Sequence, residues 1–240
     1  MEQEIKILSS DVNAFQQLRT SVLFRFIQEI SIAHTEELGY RRDKTLDKGA
    51  LWVISRMSVT LNRPIKYDEH IVLESWPGDM MHFIFPRYYR IRSAEDGAVL
   101  MDGAGLWNLI DRDSRSIIMP REFGVIIDGD DREDQAPIPQ AVHLPDFTTD
   151  TPHDVRFTDI DLNGHVNNTR YFDWFDDRFP PEFHKNHYWE TFEINYTREI
   201  RSDSTVVIRG GEEDGYQYAA GLADGEAAFA IRAKAAEIKP

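Results

Sequence analysis

The sequence predicts an α+β fold in which one arrangement, a helix followed by an antiparallel sheet, is built twice. Two observations carry this. The order of helix-like and strand-like runs in residues 4–110 recurs in residues 154–238. The run Arg63-Pro64-Ile65-Lys66-Tyr67-Asp68 also lines up with Arg198-Glu199-Ile200-Arg201-Ser202-Asp203, and each precedes a short apolar strand. A strongly curved sheet wrapped around one helix buries that helix on most sides. That accounts for the aromatic run Tyr171-Phe172-Asp173-Trp174-Phe175.

Residues 4–8 alternate as a short strand, while 11–19 carry no clear pattern. Residues 21–38 place Val22, Phe26, Ile30 and Ala33 at helical spacing, with Gly39 to stop the helix. Runs at 52–62, 70–76, 83–92 and 99–110 are rich in Val, Ile, Trp, Phe and Tyr and partly alternate, which favours strands. Glu95-Asp96-Gly97 joins the last two as a hairpin turn. In the second half, 154–157 is a short strand and 167–179 a helix ended by Pro180-Pro181. Strands at 191–200, 205–209, 216–222 and 227–238 complete it, the last pair joined by Asp224-Gly225. Between the halves, 124–150 is acidic, proline-bearing and aperiodic, and reads as a solvated surface linker without a site. The expected domains are therefore 1–123 and 151–240.

A chain of 240 residues is long enough for a substantial core. Its formal charge of -15 argues against a nucleic-acid or anionic-membrane surface, which needs a basic stripe. The absence of cysteine excludes a thiol nucleophile, disulfides and thiolate metal sites. No apolar run approaches a membrane span, and the N-terminus lacks signal or transit character, so a cytoplasmic protein is the expectation.

One run concentrates the chemistry: Asp159-Ile160-Asp161-Leu162-Asn163-Gly164-His165-Val166-Asn167-Asn168. It begins like a calcium-binding EF-hand loop, with Gly164 in the right place. The twelfth position, however, is Arg170, a cation where the ion needs a bidentate Glu, and a helix does not precede the run. No metal is expected here. Asp and Asn also cluster where a chain turns into a helix, because they cap free backbone N–H groups, and capping suffices for Asn167 and Asn168.

Together with Leu51-Trp52-Val53-Ile54-Ser55-Arg56-Met57 and Tyr196-Thr197-Arg198-Glu199, this run resembles the acyl-acyl carrier protein (ACP) thioesterases of plant plastids and bacteria. The motifs fall in consistent order over nearly the whole chain, including Leu106-Trp107 and Pro120, and the missing transit segment fits a bacterial member. The resemblance implies a tandem hotdog, with the active site in the second hotdog and the acyl chain largely in the first. Carried over residue by residue, it makes Asp161, Asn163, His165 and Glu199 the catalytic set. Asn167, Asn168, Trp52 and Arg56 become candidates for substrate binding. Many plant members have Cys directly after the Glu, whereas this chain has Ile200, so a Cys–His mechanism is closed to it. Pro64 stands at the position matching Glu199 in the first half, so one half alone carries the chemistry.

These residue types suit thioester hydrolysis. A thiol with a reference pKa of about 8.5 leaves as thiolate without a strong general acid. Asp161 would activate water or attack directly, Asn163 would position water or the carbonyl oxygen, and His165 would share the proton. Glu199 would complete the network from a facing strand, and the free N–H groups of a helix starting near 166–168 would polarise the carbonyl. No cofactor is expected. Trp52, Phe83, Phe85, Trp107, Tyr171 and Trp174 read first as core, although an acyl tunnel would be lined by such residues.

The implied partner is acyl-ACP, with acyl-CoA as the rival substrate. Because ACP is acidic, docking would need a local basic patch, with Arg170, Arg178, Lys185, Arg198 and Arg201, or Arg41, Arg42, Lys44 and Lys48, as candidates. A hotdog dehydratase or hydratase and a non-catalytic acyl-binding module are the other classes. Since one chain supplies two hotdogs, a monomer or a homodimer is expected.

Overall fold

The computed structural model describes residues 1–130 and 132–239. Asp131, in the expected linker, and Pro240, at the end of the expected second domain, lie outside the described residues. The first half runs β1 (Glu2–Lys6), α1 (Thr20–Glu37), β2 (Ala50–Leu61), β3 (His70–Pro77), β4 (Ile84–Ser93) and β5 (Val99–Asp111), then a single turn α2 (Pro120–Phe123). The second runs β6 (Asp150–His153), α3 (Arg170–Asp176), α4 (Pro181–Asn186), β7 (His187–Tyr196), β8 (Val206–Glu213), β9 (Tyr216–Ala223) and β10 (Glu226–Glu237). All ten strands form one antiparallel sheet in the order β1-β3-β4-β5-β2-β7-β10-β9-β8-β6. Read from each outer edge inward, the two halves place their strands in the same order. They join where β2 pairs with β7, from Arg56↔Asn195 to Thr60↔Thr191.

Helix α1 forms where expected and stops at Gly39, whose φ of 93° is the left-handed value that glycine adopts without strain. Its buried face is not the expected one. Leu23, Phe24, Ile27, Ile30, Ser31 and His34 face the core, while Val22, Phe26 and Ala33 lie at its margin. The polar members explain the shift. Ser31 bonds to the Tyr89 hydroxyl at 2.8 Å, and His34 Nδ1 accepts from buried Arg87 at 2.7 Å. Burial and the Arg87 charge push His34 down to about 4, so its ring is neutral and can accept.

The expected helix 167–179 is shorter, with α3 ending at Asp176 and α4 resuming at Pro181. Proline clashes with the carbonyl four residues back, so Pro180 ends the helix at Asp176. The fragment still holds the centre of the core. Phe172 stacks on Phe24 of α1 with centroids 3.8 Å apart and meets Phe192 edge-on at 5.1 Å. Asp176 accepts from the Trp189 indole at 2.7 Å and from the Thr20 hydroxyl, tying α3 to β7 and α1.

Three further expectations are corrected. The short strand expected at 154–157 lies earlier, as β6, and Phe157–Asp159 is a 3-10 turn. Strand β7 ends at Tyr196, so Glu199 follows it in an irregular segment. The segment 124–150 has no helix or strand before β6 among the described residues, but it is not solvated coil. It straps the sheet face opposite α1, where Ala136 and Ile138 cover Trp76, Tyr88 and Ala104, and Phe147 packs on Tyr218. Arg132 sits 3.9 Å over the Trp76 ring and pairs with Glu74 at 3.0 Å, so the strap's charges are engaged. Among the described residues, no helix is long and apolar enough to cross a membrane.

Phe172→Ala is expected to cost about 3–5 kcal/mol in urea unfolding, and a loss under about 1 kcal/mol would refute a central role for this ring. Burial lifts Asp176 to about 6, so the folded chain holds this proton more tightly than the unfolded one does. Stability therefore falls as pH rises from the ordinary carboxylate value toward about 6. Asp176→Asn keeps an acceptor for Trp189 and Thr20. Its melting temperature should gain on the native chain across that window and then stay level, whereas a pH-independent difference would contradict the assignment.

Candidate active site

The run from Asp159 to Asn168 folds as a tight loop anchored by its first residue. Asp159 is 3% exposed, accepts from the Arg156 amide at 2.9 Å, and accepts from Arg170 Nε at 2.9 Å. Arg170 also bonds to Asp173, so its guanidinium is shared between two carboxylates. Asp161 and His165 close the loop through the Asp161 N–H to the His165 carbonyl, 2.8 Å, and Asp161 Oδ1 accepts from the Asn163 amide at 2.8 Å. Val166 N–H bonds to the Ile200 carbonyl at 2.8 Å, which brings the loop against the segment after β7.

That last bond fixes the position of the neighbouring Glu199. It carries Glu199 to His165, with Nε2 and Oε2 3.1 Å apart, His165 being 18% exposed and Glu199 40%. The same Oε2 meets Arg115 Nη2 at 3.0 Å. Burial raises the Tyr171 hydroxyl above its ordinary value, and the Glu199 and Asp161 charges add to that rise. His165, Glu199 and Arg115 thus form one partly exposed polar cluster beside the loop that carries Asp161. Asn163 is exposed on the loop tip.

The other expected site residues divide. Asn167 is a cap, its Oδ1 accepting from the Thr169 amide at 2.9 Å and the Thr169 hydroxyl at 2.7 Å. The Arg170 amide is held by the Asn167 carbonyl at 2.9 Å. The first turn of α3 therefore starts later than expected, and these two amides are already engaged, which removes them as oxyanion donors. Asn168 lines a cavity of about 10 Å³ with Phe24, Gln28, Trp107 and Tyr196, room for one water at most. Trp52 is not at the cluster but packs on Phe85 in a separate first-half core, ring centroids 4.9 Å apart. Arg56 stands on β2 opposite Asn195, and no ion pair of Arg56 or contact with the cluster occurs among the described residues.

Sequence reading missed Arg115. It lies in a turn of the first half, 84 residues before Glu199, and no local pattern marks it. The turn is rigid, since Asp111 Oδ1 accepts from the Asp113 amide and from the Ser114 amide and hydroxyl. Arg115 takes a φ of 60°, which is costly for a residue with a side chain. Of the expected basic residues, Arg170 is tied to Asp159, Arg178 to the Tyr218 carbonyl, Arg42 to Asp47 and Arg198 to Glu226. Among the described residues, no three His, Asp or Glu side chains group closely enough to hold a metal ion.

Among curated relatives, the chloroplastic dodecanoyl-[acyl-carrier-protein] hydrolase of Cinnamomum camphora is 26% identical over 232 residues, 87% of this chain and 60% of its own length. That of Umbellularia californica is 27% identical over 221 residues, 82% and 57%. The chain thus spans about six tenths of the length of these relatives. Among solved structures, the 12:0-ACP thioesterase from Umbellularia californica aligns with a TM-score of 0.83 at 20% identity, covering 99% of this chain and 97% of that one. An acyl-ACP thioesterase from Bacteroides thetaiotaomicron aligns at 0.86 with 17% identity, covering 98% and 97%, and the shared fold is of the hotdog type. Residues 1–126 match the family model of the acyl-ACP thioesterase N-terminal domain and residues 143–233 that of the C-terminal domain, so the chain belongs to the acyl-ACP thioesterase family.

Proposed function

We propose that the chain hydrolyses acyl-ACP thioesters to free fatty acid. It acts as a tandem hotdog in which residues 151–240 carry the chemistry and 1–123 take the acyl chain, with 124–150 joining them. The observation that carries this is the single Glu199 oxygen within 3.1 Å of His165 and 3.0 Å of Arg115, beside the Asp161 loop, in a chain of this family. Asp161 removes a proton from water as the water oxygen bonds to the thioester carbon, or attacks that carbon itself to form an anhydride that water then hydrolyses, releasing the fatty acid and restoring the Asp161 carboxylate. The C–S bond then breaks, and the thiolate takes up a proton through His165. Glu199 holds the imidazole in place, Asn163 positions water or the carbonyl oxygen, and Arg115 fixes Glu199. Asn168 contacts the substrate at the seam between the halves. Arg56 takes no part, because it pairs across strands with Asn195, whose side chain bonds to the Val142 carbonyl of the strap, on the sheet face away from α1.

Asp161→Asn and His165→Ala should each lower the hydrolysis rate by about 10²–10⁴ while leaving the unfolding midpoint near that of the native chain. Unchanged rates would support an acyl-binding module instead. Single-turnover hydrolysis in oxygen-18 water separates the two routes, since label entering the Asp161 or Glu199 side chain would rule out direct water attack. Catalytic efficiency on acyl-ACP is expected to exceed that on acyl-CoA of the same chain length, and a large preference for CoA would overturn the carrier assignment. Arg115→Gly relieves the left-handed strain while removing the guanidinium. The variant should be as stable as the native chain or more so, yet about tenfold slower in kcat, with Arg115→Lys in between. A kcat unchanged in both would remove Arg115 from the mechanism.

A further inference from the structure

The loop carrying Asp161, Asn163 and His165 has a counterpart in residues 11–19. Asp11 accepts from the Leu8 amide at 2.9 Å, as Asp159 does from Arg156. The Asn13 N–H bonds to the Gln17 carbonyl at 2.8 Å, as Asp161 does to His165, and Asn13 Oδ1 takes the Phe15 amide as Asp161 Oδ1 takes that of Asn163. Gln16 and Gly164 occupy the same left-handed position, with φ of 63° and 80°. Leu18 N–H bonds to the Ile65 carbonyl as Val166 does to Ile200, and the bridges Gln17↔Lys66 and His165↔Arg201 also correspond. Asn13, Phe15, Gln17 and Pro64 therefore stand where Asp161, Asn163, His165 and Glu199 stand.

No base or nucleophile remains at these four positions. Asn13 Oδ1 is taken by two backbone amides, and Gln17 Nε2 is held by the His184 carbonyl at 2.8 Å. The space around them has nonetheless grown. A cavity of about 410 Å³ opens here, within the range of small-ligand sites, against about 10 Å³ beside the candidate catalytic loop. The helices explain the difference. Unbroken α1 packs over the catalytic seam and supplies Phe24 and Gln28, whereas the helix of the second half breaks before Pro181 and leaves a gap between α3 and α4. Leu61 also stands where the other seam has the larger Tyr196. Phe179, Phe183, Trp189, Leu23 and Phe192 form the apolar walls.

We propose that this cavity is a second, non-hydrolytic site that binds an acyl chain, the first-half counterpart of the candidate catalytic site. It rests on reading the catalytic site as one for acyl thioesters. The aliphatic tail lies among the aromatic walls, and the head group, a free carboxylate or a neutral thioester, faces the mouth near Arg19 and His184. Asp173, Asp176 and Asp177 also line the cavity, the Asp176 carbonyl 3.0 Å from His184 Nε2, and favour the neutral thioester over the carboxylate.

Calorimetric titration tests this with two probes, dodecanoate and the neutral thioether S-dodecyl-N-acetylcysteamine. The native chain should take up two equivalents of the thioether, and dodecanoate should bind the second site more weakly. Leu61→Trp fills the cavity and should remove one equivalent while hydrolysis stays within about twofold of the native rate. Ala14→Trp, at the exposed rim, should give the same loss without disturbing the core. One equivalent in the native chain, or two persisting in both variants, would overturn the proposal. If the native chain hydrolyses no acyl thioester yet Leu61→Trp still removes one equivalent, the catalytic reading fails and the cavity stands as an acyl site.

Discussion

The antiparallel pairing of β2 with β7 is the contact on which the rest of the molecule depends. It makes one sheet of ten strands from two sets of five, and it fixes how far each half is displaced from the other. With that register set, α1 and α3 lie together on one face and the Phe24–Phe172 stack closes between them. The same register brings the turn after β5 beside the segment after β7. Arg115 of the first half thereby reaches Glu199 of the second.

The repeated loop shows how one local structure can be kept while its chemistry changes. Its shape comes from a buried aspartate, Asp11 or Asp159, whose carboxylate accepts the backbone amide three residues before it. Neither aspartate is free to react. Their task is to hold the next turn in place, so the side chains presented at that turn can vary at little cost to the fold. In one copy these are Asp161, Asn163 and His165. In the other they are Asn13, Phe15 and Gln17, and the breaking of the partner helix at Pro180-Pro181 has opened space instead.

Charge follows the same economy. The chain is strongly acidic, yet several of the cations nearest the site are held by internal acceptors, Arg170 by Asp159 and Arg198 by Glu226 among them. Arg115 differs because its carboxylate partner is itself part of the candidate catalytic set. The strap between the halves uses Arg132 and Asp134 in a similar way, pairing them with Glu74 and Arg90 on the sheet. An acidic run that composition assigns to solvent is thereby packed against aromatic surface.

The sequence by itself determined the order of elements, the repeat, and the turns at Gly97 and Asp224-Gly225, and it named the candidate catalytic residues. These are local properties, written in periodicity, in residues that tolerate left-handed backbone, and in motif spacing. Pro180-Pro181 likewise announced a helix end, although the clash acts four residues back and so the helix stopped earlier than the apolar pattern suggested. What lay beyond the sequence was everything set by register between distant strands. The buried face of α1 turned because Ser31 and His34 find partners on β4, and the strap's burial depended on aromatic residues far away in the chain. Glu199 and His165 could be named from a motif, but Arg115 could not. Its contact with Glu199 is a meeting across 84 residues that the β2–β7 pairing brings about.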